Sequence, residues 1–246
     1  SVRNQIHDIE RQLKAVEKNR ATVREKRLES SIFKIGLIGY TNAGKSTIMN
    51  CLTSKSQYEA DELFATLDAT TKNINLSGQL NVTLTDTVGF IQDLPTELVS
   101  SFKSTLEESK NVDLLVHVID ASDPHHEEHE KTVLDIMKEL DMLDIPRLTL
   151  YNKADKAEDF TPTLTPYSLI SAKADSSRAV LQQVLLERMK ELFLPFTIKV
   201  EPAKAYKVHD LEKVAIIGNR EYIDDVEAIS GWIAKKNKWK LEEFYD

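Results

Sequence analysis

Short apolar runs alternate with stretches of helical spacing along most of the chain, from Ser30 to about Pro195. Such runs, bounded by glycine, proline or polar residues, predict strands at 32–39, 73–77, 81–86, 113–120, 147–152 and 167–171. Apolar residues at intervals of three and four predict helices near 45–53, 94–109, 126–140 and 178–192. The alternation is typical of an α/β fold, a mostly parallel sheet with helices on both faces. The Ser77-Gly78-Gln79 link predicts a hairpin, so one edge strand should be antiparallel.

The two ends of the chain have a different character. Residues 1–29 contain no glycine or proline and place apolar residues at a 4-3 spacing, which predicts an amphipathic or coiled-coil helix. The stripe lacks a partner within the segment, and we expect a preceding helix or domain. Residues 196–246 predict a small α+β domain with two or three strands, a helix near 224–237, and Trp232 and Trp239 in its core. The expected domains are therefore 1–29, 30–195 and 196–246.

Composition limits the classes of protein to consider. The 246 residues are 41% hydrophobic and carry a net charge of -8, and no apolar run reaches the roughly 18 residues that span a bilayer. With a single cysteine, Cys51, no internal disulfide can form, and we expect a cytoplasmic protein. Eight basic and five acidic residues lie in 1–29, so this segment is either a basic arm that contacts nucleic-acid phosphates or a solvated helical face.

The link between the first strand and the first helix matches G-x-x-x-x-G-K-S/T in the required strand-loop-helix context. Glycines there let the backbone N–H groups form an anion nest at a helix N-terminus, the lysine adds a charge for the terminal phosphates, and the serine offers a hydroxyl to Mg²⁺. The predicted phosphate loop consists of Gly39, Tyr40, Thr41, Asn42, Ala43, Gly44, Lys45, Ser46 and Thr47.

A second group of residues follows the strand at 81–86, where open α/β sheets bind ligands. The residues are Asp86, Thr87, Val88 and Gly89. We expect the Asp86 carboxylate to hold the Mg²⁺ shell through water, and the Gly89 N–H to reach a γ-phosphate.

Two further strand ends predict the recognition of a guanine base. After the strand at 147–152, Asp155 can accept hydrogen bonds from the guanine N1–H and exocyclic amine, Asn152 can brace the loop, and the Lys153 stem can cover the ring. Adenine presents the opposite donor and acceptor pattern, so a carboxylate disfavours ATP. The next strand ends in Ser171-Ala172-Lys173, which places a backbone N–H near the guanine O6.

At this point the sequence resembles the GTPases of the translation-factor-related class, and within them the HflX family. The matching segments are GYTNAGKST at 39–47, LFATLDATTK at 63–72, TDTVGFIQDLPTELVSSFKSTLEE at 85–108, DASDPHHEEH at 120–129 and NKAD at 152–155. The segments at 63–72 and 85–108 are specific to the family. The resemblance covers nearly the whole chain.

The resemblance implies a monomeric GTPase that binds GTP and GDP with Mg²⁺. It also implies binding to the large (50S) ribosomal subunit and its rRNA, and splitting or rescue of stalled ribosomes. In the family, an N-terminal domain is joined to the GTPase domain by a helical hairpin, and residues 1–29 resemble one arm of that hairpin.

The resemblance also implies a switch I segment, Phe64, Ala65, Thr66, Leu67 and Asp68. From this motif we expect the Thr66 hydroxyl to reach Mg²⁺ in the triphosphate state, with Thr70 and Thr71 as the alternatives. The expected catalytic residues are Lys45, Asn42, Thr66 and Gly89, and the expected Mg²⁺ ligands are Ser46, Thr66 and Asp86.

Phe90 stands where Ras-like enzymes carry the glutamine that orients the attacking water. A phenyl ring cannot orient water by hydrogen bonding, so we expect slow intrinsic hydrolysis that a partner, the ribosome in this family, accelerates. Phe90 can equally pack under switch II. The alternative function is a nucleotide-gated binding module whose hydrolysis is negligible without a partner.

Two more features have competing interpretations. Related GTPases use an asparagine at the position of Asn42 to hold K⁺ beside the phosphates, but a loop asparagine can also satisfy its own backbone. His125, Glu128 and His129 fit H-x-x-E-H, a zinc-protease signature. Because Asp123-Pro124 predicts a helix start with acidic residues in its first turn, we interpret these histidines as structural surface residues.

Overall fold

The computed structural model describes residues 31–53, 70–76, 78, 80–86, 110–224 and 226–245. The predicted helices at 1–29 and 94–109 and most of switch I lie outside these residues. Residues Phe33–Asp246 form one compact unit.

A six-stranded sheet with the order β2-β3-β1-β4-β5-β6 is the centre of this unit. All its neighbouring strands are parallel except β2, which lies at one edge and pairs antiparallel with β3, as the hairpin predicted. The strands are β1 Phe33–Gly39, β2 Thr70–Leu76, β3 Leu80–Asp86, β4 Leu114–Asp120, β5 Arg147–Asn152 and β6 Tyr167–Leu169. Because β1, β4 and β5 are buried on both faces, their sequences are nearly continuous apolar runs.

Three long helices lie within the described part of this unit: α1 Lys45–Thr53, α2 His126–Glu139 and α3 Ser177–Leu192. Apolar residues of α1 and α3, such as Ile48 and Leu181, share one core with Val116 and Leu150 of the sheet. On α2, Val133 and Met137 belong to a separate cluster with Ile38 and Leu115. The sheet therefore carries helices on both faces. Because β1, β4 and β5 are parallel, their carboxyl ends lie along the same edge of the sheet.

The C-terminal part is a three-stranded antiparallel sheet with the order β7-β9-β8, together with the short helix α4 Val208–Glu212. Its strands are β7 Leu194–Val200, β8 Ala215–Ile223 and β9 Val226–Ile233, and 3₁₀ segments cover Pro202–Lys207 and Lys235–Phe244. The predicted helix near 224–237 is wrong, since β9 occupies most of it. The sequence VEAISGWI ends with burial at every second residue, Ile229, Gly231 and Ile233, which is strand periodicity.

The two tryptophans also differ from expectation. Trp239 is 41% exposed, and Leu241 and Phe244 of the same 3₁₀ segment fill the small core instead. Trp232 is half-buried, but it packs against the core of the six-stranded sheet. The antiparallel sheet thus contributes to that core, and Lys236 Nζ donates a 2.7 Å hydrogen bond to Asp113 Oδ2 before β4.

Among the helices that the structure describes, none combines the length and the apolar character needed to cross a membrane.

Candidate functional site

The loop between β1 and α1 wraps around the side chain of Lys45. Lys45 Nζ donates to the carbonyl oxygens of Gly39 at 2.9 Å and Tyr40 at 3.0 Å. Gly44 has φ of +105°, a conformation that favours glycine, and Asn42 has φ of 61°. A Cβ on Gly39 would lie 2.3 Å from the carbonyl oxygen of Val118, so the loop can pass this close to β4 only without a side chain. The positive φ values of Asn42 and Gly44 are compatible with the anion nest expected at the start of α1.

Lys45 and Asp86 are oppositely charged groups that affect each other's pKa. Burial lowers the pKa of the Lys45 ammonium below its usual value, and the Asp86 carboxylate opposes part of that shift. Burial likewise raises the pKa of Asp86, with Lys45 opposing. Asp86 Oδ1 is buried and has no hydrogen-bond partner among the described residues. A buried carboxylate oxygen suits the hydration shell of a Mg²⁺ ion, and the exposed Ser46, directly after Lys45, offers a hydroxyl ligand.

Asn152, at the end of β5, joins the phosphate loop to the loop after β6. Its Nδ2 donates to the carbonyl oxygen of Ala43 at 2.9 Å, and its Oδ1 accepts from the backbone N–H of Ala172 at 3.0 Å. The side chain is only 2% exposed. The bracing role that the sequence suggested for this residue is thus present as two buried hydrogen bonds.

Lys153 is anchored to the phosphate loop and to the end of β4. Its Nζ donates to the carbonyl oxygen of Asn42 at 2.9 Å and to Asp120 Oδ2 at 2.5 Å. Burial opposes ionisation of Asp120, but hydrogen bonds from Lys153 and Ser122 outweigh it and hold the pKa of Asp120 below its usual value. These hydrogen bonds of the Nζ ammonium hold the aliphatic part of the Lys153 side chain in place across the site.

The loop after β6 completes the site. The backbone N–H of Asp155 donates to Ser171 Oγ at 3.2 Å, and that of Ala154 donates to the Ile170 carbonyl at 3.0 Å. Asp155 and Lys173 are exposed, whereas Ala172 is buried. The Asp155 carboxylate is thus accessible to a ligand, while its backbone is held in place.

The phosphate loop, the end of β5 with the Asp155 loop, and the loop after β6 share one cleft of about 490 Å³, within the range of small-molecule sites, whereas Asp86 and Ser171 are not among its lining residues. Its lining residues are Asn42, Gly44, Lys45, Ser46, Thr47, Asn152, Lys153, Asp155, Lys156, Ala172 and Lys173. A second, smaller cavity behind the loop is lined by Tyr40, Thr41, Asn42 and Ala43, so Asn42 borders both cavities. The expected site residues Phe64, Ala65, Thr66, Leu67, Asp68, Thr87, Val88 and Gly89 lie outside the described residues.

Sequence reasoning assigned no role to two residues near the site, His117 and Asp120. Asp120 carried a usable signal, because it ends an apolar strand just as Asp86 does. His117 gave none, since its place near the site depends on how the phosphate loop and α2 pack on β4.

The two histidines of the H-x-x-E-H segment have different partners. His125 Nδ1 lies 3.8 Å from Glu128 Oε2, whereas His129 Nδ1 lies 3.6 Å from Asp123 Oδ2. The His129 ring also stacks on Tyr40 with centroids 3.8 Å apart. Across the described residues, no three side chains of histidine, cysteine, aspartate or glutamate cluster closely enough to hold a metal ion.

Residues 34–153 match a protein-family model described as a 50S ribosome-binding GTPase. The chain is 42% identical over 229 residues to the GTPase HflX of Alkalihalophilus pseudofirmus. The aligned region covers 92% of this chain and 54% of the relative. It is 38% identical over 225 residues to the GTPase HflX of Escherichia coli, with 86% and 53% covered. The chain spans about half the length of these curated relatives.

Solved structures agree with the fold. A GTP-binding protein from Sulfolobus solfataricus, determined in complex with GDP, is 26% identical with a TM-score of 0.51. The match covers 71% of this chain and 58% of that one. The predicted α/β fold, with the sheet of the P-loop GTPases, is confirmed, and so is the sequence resemblance found above.

Proposed function

We infer, because the chain belongs to the HflX family of GTPases, that it binds GTP in the cleft above β1 and β5 and hydrolyses it to GDP and phosphate. One observation carries this proposal: a single cleft is lined by Lys45 and Ser46 of the phosphate loop and by Asp155 of the base loop. Asn152 hydrogen-bonds Ala43 of the phosphate loop and Ala172 of the loop after β6, and it directly precedes the loop of Asp155, so the phosphates and the base of one nucleotide would be held at a fixed spacing.

Each side chain has a role that follows from its chemistry. Lys45, now bonded to two carbonyl oxygens, presents its ammonium to the terminal phosphates when a nucleotide enters. Asp155 accepts from the guanine N1–H and amine, and the loop of Ser171, Ala172 and Lys173 supplies a donor for O6. This pattern favours GTP over ATP, because adenine would leave the carboxylate without a donor at N1.

Magnesium binding is supported by the unpartnered Asp86 Oδ1 and the exposed Ser46 hydroxyl. The ion supplies positive charge against the phosphate oxygens, and the chain's part is to orient its hydration shell. Thr66 and Gly89, which lie outside the described residues, are proposed to reach Mg²⁺ and the γ-phosphate in the triphosphate state.

A K⁺ ion beside the phosphates is a further proposal for the same site. Asn42 lies at the cleft with its side chain exposed, while its carbonyl is occupied by Lys153. The amide oxygen is therefore available to a cation, which can offset charge that develops between the β- and γ-phosphates. GTP turnover should be faster in K⁺ than in Na⁺ buffer, and Asn42→Ala should remove the difference; equal rates in both salts exclude the ion.

The ribosome is the proposed partner, because the matching family model is described as 50S ribosome-binding. Binding to the large subunit, with splitting or rescue of stalled ribosomes, is the expected action of a family member. Phe90 in place of a water-orienting glutamine supports slow intrinsic hydrolysis that the ribosome stimulates.

GTP turnover with and without 50S subunits tests these points together. A low basal rate that rises on addition of 50S supports a ribosome-stimulated GTPase. Nucleotide-dependent 50S binding without turnover supports a nucleotide-gated binding module instead. Sucrose-gradient profiles of 70S ribosomes mixed with the protein and GTP test splitting, and competition between guanine and adenine nucleotides tests the base.

A further inference from the structure

A small cavity of about 30 Å³ lies behind the phosphate loop, between residues 40–43 and β4, and Asn42 lines both this cavity and the nucleotide cleft. One face of it is formed by residues 40–43 of the loop, and the other by His117 and Asp120 of β4 with Asp123 and His129. A water molecule needs about 10–15 Å³ and two to four polar partners, so one or two waters fit.

His117 is the most unusual residue of this cavity. Its side chain is 1% exposed, and neither ring nitrogen has a hydrogen-bond partner within the part of the chain that the structure describes. Burial lowers the pKa of His117 to about 3, with a smaller contribution from the nearby cations Arg147 and Lys45. The imidazole is therefore neutral, with one N–H donor and one acceptor nitrogen buried.

Buried polar groups of this kind are nearly always satisfied by the protein or by an ordered water. Within the described residues, the protein provides no partner for His117. The cavity provides the space, and it brings further polar side chains, Thr41 and Asp123, to the same void.

We propose that the cavity behind the phosphate loop is a permanent hydration site, in which water bound to His117 connects β4 to residues 40–43 and holds the loop in its nucleotide-binding form. His117 is then a positioning residue: it reaches the phosphates only through water and the loop backbone. The inference rests on the proposed function for its effect on nucleotides, but the water itself can be observed independently.

The test uses the full 246-residue chain and three variants. His117→Leu removes both ring nitrogens, and His117→Gln keeps a donor and an acceptor. Thr149→Val is the matched control, because Thr149 is the register partner of His117 on β5, is fully buried, and has a hydroxyl without a partner among the described residues. The Thr149→Val variant loses a buried polar group on the same face of the sheet as His117, but residue 149 does not line the cavity.

Affinity is measured by fluorescence with a labelled GDP, and GMP is measured by competition. GMP lacks the β-phosphate, so it reports binding that depends less on the phosphate loop. We expect His117→Leu to weaken GDP binding about tenfold and GMP binding less than twofold, His117→Gln to recover most of the loss, and Thr149→Val to stay within about twofold of wild type. A crystal structure at high resolution should show water within hydrogen-bond distance of His117.

Several outcomes overturn the proposal: a dry cavity, a cation in place of water, unchanged GDP affinity in His117→Leu, or an equal loss in Thr149→Val. If His117→Leu does not fold, the crystal structure of the wild-type protein decides. If the wild-type protein binds no GDP, the proposed function fails, whereas the observation of water still tests this inference.

Discussion

Asn152 Nδ2 donates a 2.9 Å hydrogen bond to the carbonyl oxygen of Ala43, which joins the end of β5 to the phosphate loop 109 residues earlier. The bond is buried, and the other end of the same amide binds the N–H of Ala172. One side chain thus links the phosphate loop to the loop after β6.

Replacing Asn152 by alanine should weaken both functions of the site. The change leaves the Ala43 carbonyl and the Ala172 N–H without partners in a buried place, so we expect the free energy of unfolding to fall by about 2–4 kcal/mol. We expect GDP affinity to fall at least about tenfold. Urea unfolding and GDP titration measure the two effects.

The control for this prediction is Asn75→Ala. Asn75 also makes a side-chain hydrogen bond, to Asn81 at 3.2 Å, but it is exposed on the edge strand. It should change stability by less than about 1 kcal/mol and leave GDP binding intact. Equal losses in the two variants contradict the role of Asn152.

Gly44→Ala should abolish nucleotide binding. The added Cβ would lie 2.2 Å from Asn152 Nδ2, and the residue would keep a φ of +105°, so the loop must move. Gly78→Ala is a matched control, since Gly78 has φ of +81° but nothing within 4 Å of a Cβ. Calorimetric titration with GDP should show binding in the Gly78 variant alone, and wild-type affinity in the Gly44 variant is the contradicting result.

The strand ends of the site were predictable from the sequence, but the contacts between them were not. Apolar runs ending in Asp86 and Asn152 located the edge of the sheet where a ligand binds, because parallel strands align their carboxyl ends. The pairing of Lys153 with Asp120 depends on side-chain conformations at β4 and β5, which adjacent sequence does not encode. The helix predicted near 224–237 failed because the partly buried face of β9 carries Val226, Ala228 and Trp232, so apolar residues on both faces obscured its two-residue period.

Asp155→Asn should change the base that the protein prefers. An amide can donate to the carbonyl that xanthine carries in place of the guanine amine, whereas the carboxylate cannot. We expect GDP affinity to fall by about 100-fold and XDP affinity to rise, measured by competition against a labelled nucleotide. Asp159→Asn is the control, because Asp159 is exposed in the following loop and does not line the cleft. Unchanged purine preference in Asp155→Asn would exclude this residue as the base-reading group.

Magnesium should tighten nucleotide binding through Asp86. We expect chelation with EDTA to speed GDP release from the wild-type protein by about tenfold or more, because the charge of the diphosphate loses its counterion. Asp86→Asn should release GDP at a similar fast rate with or without Mg²⁺. Asp135→Asn, on the exposed side of α2, should behave as wild type. Release from the Asp86 variant that still slows on addition of Mg²⁺ would argue against this carboxylate.

The last prediction concerns His117 and acid. The pKa of this imidazole is lowered by burial from 6.5 to about 3, so the unfolded chain binds a proton between these values that the folded chain does not. Its contribution to stability is therefore complete above about pH 6.5 and is lost as the pH falls towards 3. From pH 7 to pH 5, we expect the free energy of unfolding to decrease by about 2 kcal/mol through this group. Urea unfolding across this range should show the decrease in wild type and in the exposed-residue control His209→Gln, and a smaller decrease in His117→Leu. If His117→Leu keeps the full wild-type slope, another group is responsible for the acid sensitivity.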